Sequence, residues 1–444
     1  MAGNPDLGKL EACHLVGIAG SGMSALAEAL LDAGAEVSGS DRFVDRGEES
    51  PAAVSLASQG VALYPQDGSG VRARPGLRAL VVSSAVEDDN PDVAAARCAA
   101  VEVVRRADAL SLLLRRKRLV AVAGTCGKST TTAILGHLLD RAGMSPAVVN
   151  GASCPAWTDG GRRTGAVLRG SGGICVAEVD ESDKSLLDFR PAAAIVLNAS
   201  ADHFPLDETN ALFDEFLSRV EPGGAVVDAR LSPQVRATEG DWSVSFEFDG
   251  ATMTLPCPGI HNAANALAAC RMAVALGVPQ EALGPALSSF PGLARRLQRV
   301  GRTASGAVVV DDYAHNTEKL RSAILALKRR AERLFVVWRP HGYAPLRKMR
   351  GDLARMFAAT LGRGDKLFLA PVFDAGGTAD RSISSADLAS DLRSADFETV
   401  LVGDLDEAGR TIAAEGGAGD VAAVFGARDP GLPRLARGLA VNPA

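Results

Sequence analysis

Short apolar runs alternate along the chain with segments of helical periodicity. "CHLVGIAG" (Cys13–Gly20), "RALVVSSA" (Arg78–Ala85), "RLVAVAG" (Arg118–Gly124), "GICVAEVD" (Gly173–Asp180) and "AAAIVLN" (Ala192–Asn198) read as buried strands. The same reading applies to "GAVVVDDY" (Gly306–Tyr313), "RLFVVWRP" (Arg333–Pro340), "DKLFLAPVF" (Asp365–Phe373), "TVLVGD" (Thr399–Asp404) and "VAAVFGA" (Val421–Ala427). Between the strands lie helix-length segments such as Met23–Ala33, where Leu26, Leu30 and Ala33 share one face. Strands that are apolar throughout and alternate with helices predict parallel sheets covered on both faces, hence an α/β fold. No repeat of solenoid period is present. One expected boundary precedes the strand at Leu119 and another lies near Arg299, giving three α/β domains over residues 1–118, 119–298 and 299–444.

Composition narrows the class only a little. The chain has 444 residues, 47% hydrophobic and 23% charged, as expected of a globular protein with more than one domain. A formal net charge of −6 gives no support to a nucleic-acid or anionic-membrane partner, and the short "RRKR" run (Arg115–Arg118) reads as a solvated helix end. Seven cysteines without a CxxC pair indicate neither a zinc site nor a disulfide framework. With no leader-like start and no apolar run near 18 residues, the expectation is a cytoplasmic protein.

The candidate chemistry begins with glycines. "VGIAGSGMSALAEALLDAGAEVSGSD" runs strand, glycine turn, helix, strand and ends on Asp41. Gly17, Gly20 and Gly22 allow close backbone approach to a phosphate at a helix N-terminus. Asp41 falls roughly 20 residues on, where a ribose-binding acid belongs. Ala19 at the second glycine place breaks the dinucleotide pattern, so a nucleotide turn, NAD included, and a plain strand–helix turn both stand. The sharper signal is "AVAGTCGKSTTT" (Ala121–Thr132). It has the Gly-Lys-Ser ending of a phosphate-cradling loop, with only Thr125 and Cys126 between Gly124 and Gly127. A strand precedes it and a helix follows, so ATP or GTP is expected there. Lys128 would supply a point charge, the Ser129 hydroxyl a Mg²⁺ ligand, and Cys126 is read as a tolerated loop residue. "VAEVDESD" crowds Glu178, Asp180, Glu181 and Asp183 at a strand end, and spacing alone does not choose among them as the second cation ligand. His203 follows the next strand, and metal contact and structural histidine are equally open.

Taken together and in order, these motifs resemble the Mur ligase family, and within it the alanine-adding members. The resemblance spans nearly the whole chain. It rests on the "HLVGIAGSGMSALAEALLDAGAEVSGSD" start, "VVSSAVEDDNPDVAAA", "GTCGKSTTT", "AEVDESDKSLLDFRPAAAIVLNASADH", "GIHNAANALAA", "PGLARRLQ" and "DDYAHN". It implies three domains: a Rossmann-like UDP-binding domain, a central P-loop ATPase domain and a C-terminal Rossmann-like domain that binds an amino acid. It implies an ATP- and Mg²⁺-dependent ligase of peptidoglycan precursor synthesis. Such an enzyme joins an amino acid, L-alanine first, to the carboxylate of UDP-N-acetylmuramate through an acyl phosphate. The expected partners are a UDP-N-acetylmuramate-like acid and an amino acid, with no nucleic acid and no membrane, in a monomer or homodimer.

The family's residues carry over by position. Lys128, Glu178, His203, Arg296 and His315 would act at the reacting centre, with Ser129, Glu178 and His203 around magnesium. Gly124, Thr125, Gly127, Lys128, Ser129, Thr130, His261, Asn262, Arg296, Asp312 and Tyr313 would hold ATP. Gly20, Ser21, Gly22, Met23, Asp41, Ser83 and Ser84 would hold UDP. The acceptor would meet Arg339, His341, Tyr343 and Arg347.

Three departures from the family pattern stand out. The basic "PHRYxR"-like segment of the alanine-adding members reads "WRPHGYAPLRKMR" here, with Gly342 and Pro345 at basic positions. The loop "NGASCPAWTDGGRRTG" (Asn150–Gly165) lacks the usual glycine-rich form. No lysine lies between His203 and Arg219, so that stretch offers no carbamylated metal-bridging lysine. A relative charging a different amine or acid, and a nucleotide-binding module without ligase activity, are the alternatives.

Overall fold

The computed structural model describes residues 8–45, 47, 50–201, 203–232, 235–374 and 379–443. The chain divides into two compact units. One comprises Met1–Arg236, Phe246–Thr254 and Ala264–Pro291; the other comprises Ala237–Ser245, Leu255–Ala263 and Gly292–Ala444.

The first unit contains two open sheets. Strands β1 (Ala12–Val16), β2 (Glu36–Ser40), β3 (Ala62–Tyr64), β4 (Ala79–Val82) and β5 (Glu102–Arg105) form a five-stranded sheet in the order β3-β2-β1-β4-β5. All its pairings are parallel, with Leu15 opposite Gly39 on one side and Val81 on the other. The order reverses beside β1, so the glycine turn after β1 opens at a topological switch point. The following helix runs Ser21–Asp32, close to the predicted Met23–Ala33.

Strands β6 (Arg118–Ala123), β7 (Ala147–Val149), β8 (Val167–Leu168), β9 (Ile174–Glu178), β10 (Ala193–Val196) and β11 (Ala225–Asp228) form the second sheet, in the order β11-β10-β6-β9-β7-β8. Here β6 lies between β9 and β10, parallel to both, so the loops leaving all three converge at one sheet edge. Residues Leu119–Ala123 are buried, as the uniformly apolar sequence requires of a central parallel strand. One apolar core runs beneath both sheets, with Leu15, Ile18, Leu26 and Leu30 from the first and Ala121, Ala123, Val196 and Phe213 from the second.

Three short strands, β12 (Ala237–Glu239), β13 (Val244–Phe248) and β14 (Ala251–Leu255), follow in the chain. The second unit is organised on β15 (Gln298–Arg302), β16 (Val308–Asp312), β17 (Leu334–Trp338), β18 (Lys366–Leu369), β19 (Val400–Leu401), β20 (Val421–Phe425) and β21 (Asn442–Pro443). Their order is β19-β18-β17-β20-β16-β15-β21, with β15 antiparallel to both its neighbours. The strand period of two divides its core in two. Val308, Val310, Leu334, Val336 and Trp338 face one layer of helices, and Val309, Phe335 and Val337 face the other. Among the described residues no helix is long and apolar enough to cross a membrane.

Candidate active site

The tight loop leaves β6 and is closed by two left-handed glycines, Gly124 (φ 137°) and Gly127 (φ 88°). A Cβ at 124 would lie 2.9 Å from that of Leu197, and one at 127 would overlap the Asn265 amide, so both positions need glycine for space as well as conformation. Asn198, at the end of β10, holds the loop from outside. Its Oδ1 accepts from Cys126 N–H at 2.9 Å and its Nδ2 donates to Cys126 C=O at 2.9 Å. The Thr125 hydroxyl accepts from Ser200 N–H at 3.0 Å. The helix that follows runs Lys128–Arg141, and its first ladder bond is Thr131 N–H to Gly127 C=O, 2.9 Å. The amides of the first turn therefore precede the ladder and face the loop, the arrangement that binds phosphate.

Ser129 and Glu178 meet at the mouth of this loop. Ser129 Oγ donates to Glu178 Oε2 at 2.7 Å, so of the four acids of its segment Glu178 is the one that meets the loop hydroxyl. A Cβ on Gly151 would overlap Glu178 Oε1, so the carboxylate occupies the space that a side chain at 151 would need. A hard divalent cation with few protein ligands fits this oxygen pair, because magnesium keeps water and phosphate oxygens for the rest of its shell. His203 is exposed, and among the described residues no group of three or more His, Cys, Asp or Glu side chains is gathered for a metal.

Lys128 is half-buried beside this pair. Its Nζ donates to Gly124 C=O at 2.8 Å and to Glu181 Oε2 at 2.7 Å, with Asp180 Oδ1 at 3.7 Å. Burial opposes the ammonium, but the charges of Glu181 and Asp180 outweigh it and hold Lys128 above the usual lysine range. Burial lifts the Glu181 carboxyl, and Lys128 opposes that shift. Asp183 instead accepts from Ser185 N–H at 3.0 Å.

In the N-terminal turn, Gly17 is left-handed (φ 71°), and Gly17 and Ile18 donate to Ser40 C=O at 2.8 and 3.1 Å. Asp41 braces the same turn, accepting from Ala19 N–H at 2.9 Å and Phe43 N–H at 3.1 Å. Burial raises its carboxyl above the usual range. Gly20 caps the Ser21–Asp32 helix without a side-chain hydrogen bond, and Arg106 Nη1 lies 2.5 Å from where a Gly22 Cβ would stand. Met23 is buried; Ser83, half-buried, and Ser84, exposed, follow β4 in a turn closed by Val86 N–H to Ser83 C=O, 3.1 Å.

The second unit gathers a separate set. Asp312 is buried, with its carboxylate accepting Leu297 N–H at 2.6 Å and Ala314 N–H at 2.7 Å, so it braces the segment on which Tyr313 and His315 stand. Arg295 (φ 58°) and Leu297 (φ 44°) are left-handed without being glycine, a strained backbone held by that carboxylate and by Tyr313 N–H to Arg295 C=O, 2.8 Å. The guanidinium groups of Arg295 and Arg296 stand 5.0 and 5.5 Å from the Tyr313 ring centre. His315 Nδ1 lies 2.9 Å from Tyr313 C=O and must be the protonated nitrogen, which leaves Nε2 as an acceptor. Burial, then Lys319 and His341, push its pKa down to about 3, and the His341 ring lies 4.8 Å away edge-on. Of the expected adenine contacts, Asn262 Nδ2 donates to Pro258 C=O at 2.7 Å, and burial lowers His261 to about 4.

The expected acceptor arginines already have partners. Arg339 pairs with Asp429 at 2.7 Å and donates to Pro371 C=O at 2.9 Å. Arg347 pairs with Asp380 at 2.9 Å and with Ser382 Oγ at 3.0 Å. Tyr343 opens the helix Tyr343–Thr360 beneath Arg381, 5.8 Å from its ring centre.

With this geometry in view, the comparisons with known proteins are decisive. Residues 12–118 match the profile described as Mur ligase family, catalytic domain, and residues 295–428 match Mur ligase, glutamate ligase domain. A UDP-N-acetylmuramate–L-alanine ligase of Streptomyces griseus is 32% identical over 459 aligned positions, covering 95% of each chain. The chain belongs to the Mur ligase family. Another ligase of that name, from Aromatoleum aromaticum, is 34% identical, covering 94% of this chain and 96% of its own. The crystal structure of the UDP-N-acetylmuramate–alanine ligase from Thermotoga maritima superposes with a TM-score of 0.78 at 25% identity, covering 96% and 98% of the two chains. A murein peptide ligase of Psychrobacter arcticus shares the fold, with a TM-score of 0.66 at 21% identity. The α/β, three-domain Mur ligase architecture is thereby established for this chain.

Several residues around these loops carried no role in the sequence. Asn198 and Gly151 were visible only as a strand end and a loop glycine, and Arg295 only as half of an arginine pair. Arg106 lay in no segment that the sequence singled out. Their roles could not be read there, because each acts through a contact distant in sequence.

Proposed function

We propose that this Mur ligase couples ATP cleavage to amide formation between an amino acid, L-alanine first, and the carboxylate of UDP-N-acetylmuramate, in peptidoglycan precursor synthesis. The observation that carries this reading is the identity of 32–34% to ligases of that activity along almost the full length of both chains. The residues of the tight loop support it.

In this reading residues 1–118 hold the UDP-sugar acid, 119–298 hold ATP and 299–444 receive the amino acid. A carboxylate is a poor acyl donor until its oxygen is phosphorylated, and the amine then displaces phosphate. Phosphoryl transfer needs alignment and charge neutralisation more than covalent help. Lys128 and the loop amides would grip the terminal phosphates. Ser129 and Glu178 would hold Mg²⁺, with His203 a further candidate; the ion, when bound, neutralises phosphate charge. On the second unit, Arg296 is the candidate for the developing phosphate charge and Tyr313 for the nucleotide. Burial, with Lys319 and His341 beside it, keeps His315 neutral. Its Nε2 suits it to orient the amine by accepting a hydrogen bond.

A different amine is the second reading, and one observation favours it. A Cβ at Gly342 would meet nothing nearer than Pro345 Cδ at 3.5 Å, so this segment leaves room where the family resemblance implies a basic side chain. A screen of amino acids with UDP-N-acetylmuramate, read by mass spectrometry and ADP release, decides both. ADP release that requires the acid and one amine supports ligase activity, and the amine's identity chooses between the readings. ADP release indifferent to both substrates overturns them.

A further inference from the structure

The loop Asn150–Ala166 is closed on itself. Asn150 N–H donates to Ala166 C=O at 2.9 Å, Cys154 N–H to Gly165 C=O at 2.8 Å, and Ser153 Oγ to Thr164 C=O at 2.8 Å. At one end Gly151 abuts the Glu178 carboxylate. At the other, Arg163 and Thr164 grip the Ser21–Asp32 helix. Glu28 on that helix is fully buried. Its Oε2 accepts Thr164 N–H at 2.9 Å and the Thr164 hydroxyl, and its Oε1 pairs with Arg163 Nε at 2.5 Å. One turn on, Asp32 takes both terminal nitrogens of Arg163, at 3.0 and 2.6 Å. Those hydrogen bonds to Asp32, with the charge of Glu28, hold the guanidinium above its usual pKa. The neighbouring Arg162 C=O accepts from Ser55 Oγ at 2.9 Å.

A buried carboxylate and a second acid one turn away make a poor device for stability alone, since desolvation offsets most of what such pairs contribute. They do fix a geometry, because a planar guanidinium held by two carboxylates has one orientation. The helix so gripped carries at its N-terminus the Gly20–Met23 turn, and the loop so held begins at the carboxylate that meets Ser129. We propose that Glu28, Asp32, Arg163 and Thr164 form a positioning clasp that sets the spacing between the UDP-sugar site and the Ser129–Glu178 pair. The clasp rests on the substrate assignment proposed above. Its residues touch neither substrate; they hold the acid's carboxylate in line with the phosphate to be transferred, where an error of about 1 Å lowers the rate on the order of a hundredfold.

Full-length Arg163→Ala, Arg163→Lys and Asp32→Asn test this by kcat, by KM for both nucleotides, and by direct binding of UDP and of a non-hydrolysable ATP analogue. The expected result for Arg163→Ala is a fall in kcat of ~10- to 100-fold with both affinities within about twofold of wild type. Arg163→Lys should recover only part of kcat, since an ammonium lacks the fork. Should Arg163→Ala fail to fold, Asp32→Asn carries the test, because Glu28 and Thr164 remain joined; a smaller kcat loss at unchanged affinity is expected. Unchanged kcat in the folded variants, or affinity lost in step with kcat, overturns the clasp. A wild-type protein that binds no UDP overturns instead the reading of the glycine turn, and the clasp's function with it.

Discussion

The Ser129 hydroxyl lies 2.7 Å from Glu178 Oε2, although 49 positions separate the two residues in sequence. Adjacent ligands of an octahedral Mg²⁺ at 2.0–2.1 Å stand about 2.9 Å apart, so this oxygen pair already has nearly the spacing the ion requires. The parallel register makes it possible, since β6 and β9 are direct neighbours with Val122 opposite Glu178.

Glu178→Gln keeps the shape of the side chain and removes its charge. The expected outcome is a raised Mg²⁺ requirement and a loss of kcat of roughly 100-fold or more, of the size found when a stabiliser of transition-state charge is removed. ADP release titrated with Mg²⁺ measures it. A variant with the wild-type Mg²⁺ curve would take Glu178 out of the cation site.

Gly151→Ala tests the same carboxylate from the other side. A methyl there would displace Glu178 Oε1, while residue 151 sits in a half-buried loop that contributes little to the core. The expected activity is as low as that of Glu178→Gln, with thermal unfolding within a few degrees of wild type. A variant active at the wild-type rate would mean that Glu178 works in another rotamer.

Lys128→Ala removes the charge at the loop and should lower kcat about a thousandfold while the fold persists. Glu181→Gln should do less, roughly tenfold, because Gly124 C=O still orients the ammonium. Single-turnover phosphate release separates the two. Equal losses would place Glu181 alongside Lys128 at the phosphates rather than behind it.

The long apolar strands and the glycine loops were legible because their patterns are local: four or five buried aliphatics, or two glycines and a lysine. The short strands Ala62–Tyr64, Glu102–Arg105, Ala147–Val149 and Ala225–Asp228 were not, since they have few residues and mixed burial. The choice of Glu178 over its three acidic neighbours needed strand register, which spacing does not contain. The bonds of Asp312 to Leu297 and Ala314 likewise depend on a left-handed bend at non-glycine residues that no motif announces.

His14 predicts a pH dependence of stability. It is fully buried on β1 with Nδ1 2.9 Å from Ser38 Oγ, and burial, helped by Arg74, lowers its pKa to about 4. In the unfolded chain the value returns to about 6.5, so below that pH the unfolded state binds a proton that the folded state refuses. Stability is therefore full above about pH 6.5 and is lost progressively down to about 4, by roughly 2 kcal/mol at pH 5 from this group alone. Urea unfolding at pH 7.5 and 5 should show that loss, and His14→Gln should show distinctly less of it. Identical pH dependence in the two proteins would refute a neutral, buried His14.

The two expected acceptor arginines should behave differently from one another. An amino acid's carboxylate is best held by a bidentate guanidinium, and both Arg339 and Arg347 are within the segment that carries Gly342. Arg339 is bound to Asp429, whose side chain is 6% exposed, and to Pro371 C=O. Removing it takes the opposing charge from a buried carboxylate that keeps its bond from Gly431 N–H, so Arg339→Ala should destabilise the protein by about 1–3 kcal/mol. Arg347 is 42% exposed and its partner Asp380 is 65% exposed, a pair held weakly by solvent-screened charges that a substrate can replace. Arg347→Ala should therefore leave stability almost unchanged and raise the acceptor's KM on the order of tenfold or more, with the ATP KM within about twofold of wild type. Unfolding curves and substrate-variation kinetics on both variants check the contrast. An acceptor KM raised by Arg339→Ala but not by Arg347→Ala would move the acceptor site to the strand end at Trp338.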